Sequence, residues 1–247
     1  MVNQFGSLGT NLVVVLPGRS ETSGAMPGVL IGKTPRDLTL EDALALKRSH
    51  AVRRIAPLIV GAGDVHVGSR VRETPVLGST AELMDIRGME VALGRFLPEA
   101  DPRQILPVCV IGAKVAAELF GTKPALGVWV RIGDRRFRVI GIMARQGESL
   151  GFNTDEIVIV PLAAAQALFN TEALFRVLVE AKSREQIQYA KDDVEEIIRL
   201  RHEGERDVTV ITQDAVLATF DRILRALTMA VAGIAAISLA VAGILIM

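Results

Sequence analysis

Cysteine and histidine are scarce in this sequence of 247 residues. The one cysteine, Cys109, cannot form an intrachain disulfide, and its apolar neighbours (LPVCVIG) predict a small buried core residue. The three histidines, His50, His66 and His202, stand far apart and have no metal-ligand spacing. We therefore expect neither a disulfide framework nor a metal site.

An excess of one charge is missing too. Lys plus Arg number 28 and Asp plus Glu number 28, and no stretch concentrates basic residues with interleaved aromatics. Nucleic acid is therefore not an expected partner. No Walker A sequence is present, and Gly61, Gly63 and Gly68 do not have the spacing of a dinucleotide-binding loop. We expect no cofactor.

A secretory signal is absent from the first residues, which carry no basic region, and the apolar run Leu12–Leu16 is too short for one. The sequence stops at Met247 inside an apolar stretch. Two interpretations stay open. The chain is an excised fragment of a larger membrane protein, or it is a tail-anchored protein with its domain in the cytosol.

What the sequence does contain is a long apolar C-terminus. From Gln213 the apolar residues recur at three- and four-residue steps, which predicts an amphipathic helix. Residues 226–247 then carry no charge over 22 positions. As a helix these would span about 33 Å, enough for a hydrocarbon core of roughly 30 Å. We predict one stalk and transmembrane helix over residues 213–247.

Small residues recur along one side of this predicted span. A four-residue repeat of alanine, with two glycines nearby, would allow another helix to approach closely. The predicted helix-packing residues are Ala232, Gly233, Ala236, Ala240 and Gly243.

The residues before the span alternate between strand and helix patterns. The first part predicts a strand over residues 11–16, a helix capped by Thr39 and Asp42, and strands Val52–Val60 and Val65–Leu77. A turn is predicted at Gly61–Asp64, and Ser79 with Glu82 is predicted to open a short helix.

Shorter elements follow. A strand at Leu106–Ile111, a helix at Ala113–Phe120 and a hairpin turning at Gly133-Asp134 are predicted, then a strand at Ile157–Val160. The last part predicts a strand at Leu174–Ala181, a helix capped by Ser183 and Gln186, and a strand at Val208–Ile211. This pattern predicts an α+β fold of two subdomains, with residues 85–173 inserted between residues 1–84 and 174–212.

A nucleophile-elbow pattern, G-x-S-x-G, places Ser149 between Gly147 and Gly151. The elbow requires a sharp turn from strand into helix, but another strand is predicted after it. A glycine-rich structural loop is the favoured interpretation, and a serine hydrolase is the alternative. Asp155 and Glu156 are adjacent and would point apart in an extended chain, so no catalytic residues are predicted.

Several short motifs occur in one order along the chain. They begin with GTNLVVV and PG near residues 9–18, followed by Gly88 and Gly94-Arg95-Phe96. VIG at 110–112, LFG at 119–121, VRI at 130–132 and VIG at 139–141 follow. Last come GESLG at 147–151, Asp155 and IVPL at 159–162. In this order they resemble the extracytoplasmic core domain of ABC-transporter permeases of the MacB and FtsX-like family.

The resemblance implies a porter-like βαβ subdomain with an inserted small subdomain, between the first and second helices of a four-helix permease. It implies partners: an ATP-binding cassette ATPase, a second permease as homodimer or heterodimer, membrane lipid and, in some members, a periplasmic adaptor protein. It implies that the protein lies in the cytoplasmic membrane, with this domain on the outer side. The domain would perform no chemistry and would relay the motion of the membrane helices. Its signature residues would be structural: Gly94, Arg95, Gly112, Gly141, Gly147, Gly151, Asp155 and Pro161.

One feature disagrees with that topology. Arg222 and Arg225 flank the entry to the span, whereas basic residues favour the cytoplasmic side. With Asp221 beside them and only one flank visible, the resemblance outweighs this rule. The terminal position of the predicted span suggests the alternative function, a singly anchored binding or sensor domain without a transport role.

Overall fold

The structure is a computed structural model that describes residues 11–18, 36–145, 148–149, 152–205, 207–212 and 228–229. Within these residues, twelve strands and five helices have the following bounds. They are β1 (Leu12–Pro17), α1 (Leu40–Leu46), β2 (Val52–Val67), β3 (Arg70–Ser79), α2 (Glu82–Arg87), β4 (Val91–Gly94), β5 (Val108–Ile111), α3 (Ala113–Phe120), β6 (Trp129–Ile132), β7 (Arg135–Met143), β8 (Glu148–Ser149), β9 (Phe152–Asn153), β10 (Val158–Pro161), α4 (Leu162–Phe169), β11 (Arg176–Ala181), α5 (Ile187–Arg201) and β12 (Val208–Thr212). Helices combined with a mostly antiparallel sheet confirm the α+β fold class.

The chain divides into two compact units, one ending at Val210 and one beginning at Ile211. Among the described residues, no helix is both long and apolar enough to cross a membrane. The predicted stalk and span, residues 213–247, lie outside the described residues except for 228–229.

Strand β2 is longer than the sequence predicts. It runs without a break through Gly61–Asp64, where a turn was expected, and pairs with β3 over the whole of Ile59–Val67. The turn lies instead at Gly68, with φ +59°. The glycine at position 61 has another cause, because a Cβ there would lie 2.4 Å from the ring of Phe169. That glycine lets α4 pack directly on the strand, which a turn pattern does not distinguish.

Six strands close into a ring. Strand β2 pairs with β3, β3 with β10, β10 with β5, β5 with β7, β7 with β6, and β6 again with β2. The predicted hairpin with its turn at Gly133-Asp134 forms β6 and β7 and is confirmed. Side chains alternate along each strand, so one set fills the ring. The interior residues are Val65, Val76, Cys109, Ile111, Val130, Ile132, Phe137, Val139, Val158 and Val160.

The first half of β2 belongs to a second group of strands. Here the order is β12, β1, β11 and β2, and β11 pairs antiparallel with both β1 and β2. Helices α1 and α5 supply Leu46, Val194 and Ile198 to the core on one side of these strands. A separate core, which includes Leu83, Phe96 and Ile159, lies under α2 and the segment after it.

Helix caps were predicted correctly at one of three positions. Thr39 and Asp42 form the capping box of α1. Ser79 does not cap α2, because its hydroxyl donates to the carbonyl oxygen of Pro57 at 3.0 Å. Ser183 makes no cap hydrogen bond either, since a 3₁₀ turn at Arg184–Gln186 separates it from α5.

The division into two subdomains stays a prediction. The ring takes β2 and β3 from the predicted first subdomain and β5, β6, β7 and β10 from the predicted insert. The two predicted parts therefore share one set of hydrogen-bonded strands.

Candidate functional site

Three of the signature residues meet where β4 ends beside β7. Gly94 has φ +83°, and a Cβ on it would lie 2.3 Å from the carbonyl oxygen of Ile140. A Cβ on Gly141 would lie 2.2 Å from the carbonyl oxygen of Arg95. The amide of Arg95 donates to the Ile140 oxygen at 3.0 Å. The two glycines thus allow two backbones to touch, which is a structural role.

Gly112 and Asp155 form a second close approach. The amide of Gly112 donates to the carbonyl oxygen of Ile157 at 2.8 Å, and a Cβ on Gly112 would lie 2.3 Å from the carbonyl oxygen of Asp155. Pro161 ends β10 and is the N-cap residue of α4. Gly147 and Gly151 lie outside the described residues, as do Ala232, Gly233, Ala236, Ala240 and Gly243.

The serine of the elbow pattern does not precede an α-helix directly. Ser149 lies in β8, which pairs antiparallel with β9, and a 3₁₀ turn at Thr154–Glu156 follows. Glu156 lies near Lys114, 2.7 Å from its Nζ, and is occupied by ion pairs. Burial raises the pKa of the Cys109 thiol well above its usual range, so this thiol is not an activated nucleophile. Within the described ranges, no group of His, Cys, Asp and Glu is arranged to hold a metal ion.

The most connected polar group that the structure describes surrounds the buried side chains of Asp42, His202 and Asp207. With the half-buried Thr39 and the exposed Arg201 they form what we call the His202 cluster. The Nδ1 atom of His202 lies 2.7 Å from Asp207 Oδ2, and its Nε2 atom lies 3.2 Å from Asp42 Oδ2. Arg201 Nε donates to Asp42 Oδ1 at 2.6 Å, and the Thr39 hydroxyl donates to Asp42 Oδ2 at 2.7 Å. The His202 side chain is 2% exposed.

The hydrogen bonds of this cluster stabilise the ionised form of the Asp42 carboxyl group. Burial alone would raise the pKa of Asp42, but the hydrogen bonds from Thr39, Arg201 and His202 outweigh it and lower that pKa to about 2. A buried carboxylate with this many donors stays ionised, and replacing one partner leaves a buried charge unsatisfied. The cluster is therefore a rigid link between its elements.

The elements that it links are distant in the sequence. Asp42 is in the first turn of α1, His202 follows the last residue of α5, and Asp207 precedes β12. The carbonyl oxygen of Asp207 accepts from the Gly18 amide at 2.7 Å, and the Thr209 hydroxyl donates to the Gly18 carbonyl at 2.6 Å. The chain is thus fixed just before residue 213. The spacing of the three histidines in the sequence gives no signal of this role for His202.

A groove of about 510 Å³ lies beside the cluster. Its walls are the start of α1, the end of α4 and the segment between β4 and β5, from which Arg103 and Ile105 project. Arg103 Nη2 donates to Glu41 Oε1 at 2.6 Å across one end. The volume falls in the range of small-molecule sites, but the groove contains no pair of groups arranged for acid–base catalysis.

In the part of the chain that the structure describes, the domain has an α+β fold, and its most connected polar group, the His202 cluster, has a structural role. The chain belongs to the family of the MacB-like periplasmic core domain, whose model matches residues 1–197.

Two export proteins are similar in sequence to almost the whole of this chain. It is 30% identical, over 99% of its length, to the macrolide export ATP-binding/permease protein MacB of Bdellovibrio bacteriovorus, and covers 38% of that protein. It is also 30% identical to the pyoverdine export ATP-binding/permease protein PvdT of Pseudomonas entomophila, over 99% of this chain and 36% of that protein. The chain thus spans little more than a third of these relatives.

Two solved structures share the fold. The periplasmic region of MacB from Actinobacillus actinomycetemcomitans has a TM-score of 0.74 at 20% identity, covering 88% of this chain and 95% of that one. The extracellular domain of the noncanonic ABC-type transporter YknZ from Gram-positive bacteria has a TM-score of 0.67 at 21% identity, covering 82% of this chain and all of that one. The recognition drawn from the ordered motifs is confirmed.

Proposed function

We propose that the chain is the extracytoplasmic domain of an ABC-transporter permease, and that it relays ATP-driven helix motion to the export of a substrate. The family and the export proteins among its relatives support this class of function. The names of those relatives mention different cargoes, macrolide and pyoverdine. The proposal is therefore limited to export as a class.

The observation that carries the relay is the anchoring of β12. Asp207 and Thr209 are tied to His202 and Gly18, and Thr212, the last residue of β12, directly precedes the predicted stalk. A push or pull on residues 213–247 would then act on α1 and α5 through the His202 cluster. A flexible linker would absorb such a displacement.

The partners follow from the same proposal. We infer an ATP-binding cassette ATPase, a second permease in a homodimer or heterodimer, a periplasmic adaptor protein and membrane lipid. The location is the cytoplasmic membrane, with this domain on the outer side, and the chain itself is not an enzyme. Ala232, Gly233, Ala236, Ala240 and Gly243 would form the contact between membrane helices.

The test is purification of the full-length protein from gently solubilised membranes, followed by mass spectrometry of the proteins that accompany it. We expect a stoichiometric subunit or domain with a Walker A motif. Protease added to intact cells with a permeable outer layer should cleave the domain. The proposal would be overturned if no ATPase accompanies the protein and the domain resists the protease as a cytosolic domain does.

The groove favours a second candidate, a singly anchored binding domain. Its polar and apolar lining, with Arg103 and Glu41 at one end, suits a small ligand without any ATPase. This candidate predicts ligand binding by a protein that purifies alone, so the same purification distinguishes the two.

A further inference from the structure

Four strands place a row of side chains on the outside of the ring. The strand register places Val71 opposite His66, His66 opposite Arg131, and Arg131 opposite Arg136. Paired residues point to the same side of a sheet, and their neighbours in sequence point to the other. Because Ile132 points into the ring, this row points outwards, and both arginines are exposed.

A second row lies next to it. Trp129 is directly opposite Arg138 and is 55% exposed, and Val71 in the first row is 54% exposed. The acidic residues on this side are at its border: Asp64 and Glu73, which pair with each other on β2 and β3, and Asp134 in the hairpin turn. We call Trp129, Arg131, Arg136 and Arg138 the arginine face.

The arrangement is unfavourable for the isolated chain. Arg131 and Arg136 are directly opposite each other on neighbouring strands, and like charges in that position destabilise a sheet. In the part of the chain that the structure describes, the ion pairs involve none of the three arginines, although Arg138 Nε donates to the Gly127 carbonyl at 3.3 Å. Arg72, on β3, is by contrast paired with Glu118 and Glu156.

We propose that the arginine face is a docking surface for an acidic segment of a partner protein. Carboxylates would relieve the repulsion between Arg131 and Arg136, and guanidinium groups bind carboxylates through two parallel hydrogen bonds. Trp and Arg are enriched at the centres of protein interfaces and Lys is depleted, and the stretch 128–143 contains no Lys. This composition favours a protein over an anionic lipid surface.

Trp129 is the only tryptophan in the sequence, so fluorescence excited at the red edge, where tyrosine does not absorb, reports on this surface alone. The experiment titrates the full chain, held in phosphatidylcholine nanodiscs, with a glutamate 20-mer. We expect a saturable change in Trp129 emission whose affinity weakens as salt rises. The double variant Arg131→Glu/Arg136→Glu should bind at least tenfold more weakly.

The matched control is Arg48→Glu/Lys182→Glu, which makes the same change in net charge at two exposed positions outside the hairpin. It should bind as the unchanged chain does. If the double glutamate variant fails to fold, the milder Arg131→Gln/Arg136→Gln variant takes its place. It should bind the glutamate 20-mer more weakly. Its Tm should stay the same or rise by about 1–2 °C, because the repulsion between the two arginines is removed. Equal losses in both glutamate variants, or a response of Trp129 only to phosphatidylglycerol nanodiscs, would overturn the proposal.

Discussion

At the scale of single residues, the buried charge of Asp42 makes stability depend on acid. Its pKa lies at about 2 in the folded chain, below the ordinary value of 3.8. A group with a lowered folded pKa stabilises the fold above its unfolded pKa, and that contribution is lost as pH falls through the folded pKa. We expect the free energy of unfolding to fall by about 2 kcal/mol between about pH 5 and pH 2 from this group.

The measurement is denaturant unfolding of the unchanged chain and of Asp42→Asn across that range. The variant should be less stable by about 2–3 kcal/mol at neutral pH, because Arg201 and His202 lose a charged acceptor, and its acid dependence should be weaker. Asp37→Asn, at an exposed position, serves as the control and should behave as the unchanged chain. Identical acid profiles for all three proteins would contradict the role of the cluster.

A second prediction concerns the contact between Gly141 and the Arg95 backbone. Gly141→Ala would force a Cβ against a carbonyl oxygen that cannot move without disturbing β4, so we expect a loss of about 1–3 kcal/mol. Gly63→Ala is the matched control, since its Cβ would meet only side-chain methyl groups at 3.5 and 3.7 Å. Thermal unfolding of both variants measures the difference, and an equal Tm for the two would show that the close approach does not constrain the fold.

Residue patterns predicted some of these roles and missed others for a physical reason. Thr39 and Asp42 were predicted because a capping box is local, four residues long and encoded in sequence spacing. The contact of Asp42 with His202 joins positions 160 residues apart, so no local pattern contains it. The arginine face is local by contrast, because Arg131, Arg136 and Arg138 belong to the predicted hairpin, whose register sets Arg131 opposite Arg136.

At the scale of elements, β12 should depend on His202. In His202→Gln the side chain can no longer reach both carboxylates, and the anchoring of Asp207 weakens. We expect amide hydrogen exchange to speed up at least tenfold in Val208–Thr212, with β5 and β10 unchanged.

The control for this experiment is His50→Gln, because His50 is exposed and is not a member of the cluster. Uniform acceleration over all strands would indicate global destabilisation instead of local release. Unchanged exchange in β12 would mean that the hydrogen bonds between Gly18 and its partners suffice without His202.

Elements with strong local signals were predicted well. The helix Ala113–Phe120 and the hairpin turn at Gly133-Asp134 have the predicted positions, since a helix start after glycine and a two-residue turn are short-range features. The uninterrupted β2 was missed because glycines in a strand and glycines in a turn look alike in sequence. Closure of the ring was not predictable, as the pairing of β6 with β2 joins Ile132 to Val65.

At the scale of the whole molecule, the ordered motifs identified the family although each is only a few residues long. Three of the motif glycines that the structure describes lie at close backbone contacts between segments: Gly94, Gly112 and Gly141. A side chain larger than hydrogen at these positions would overlap backbone atoms.

The relay itself can be tested by breaking its stiffness. Insertion of six residues, alternating Gly and Ser, between Thr212 and Gln213 of the full-length protein would place a flexible joint directly after β12. We expect ATP hydrolysis to continue and substrate export to fall at least tenfold, since motion of the predicted stalk would no longer reach the His202 cluster.

The same insertion in the turn at Gly68-Ser69 is the control, because that turn is exposed and joins only β2 to β3. It should leave both activities intact. Export that survives the first insertion would show that the domain contributes by binding alone, and would transfer support to the anchored binding domain.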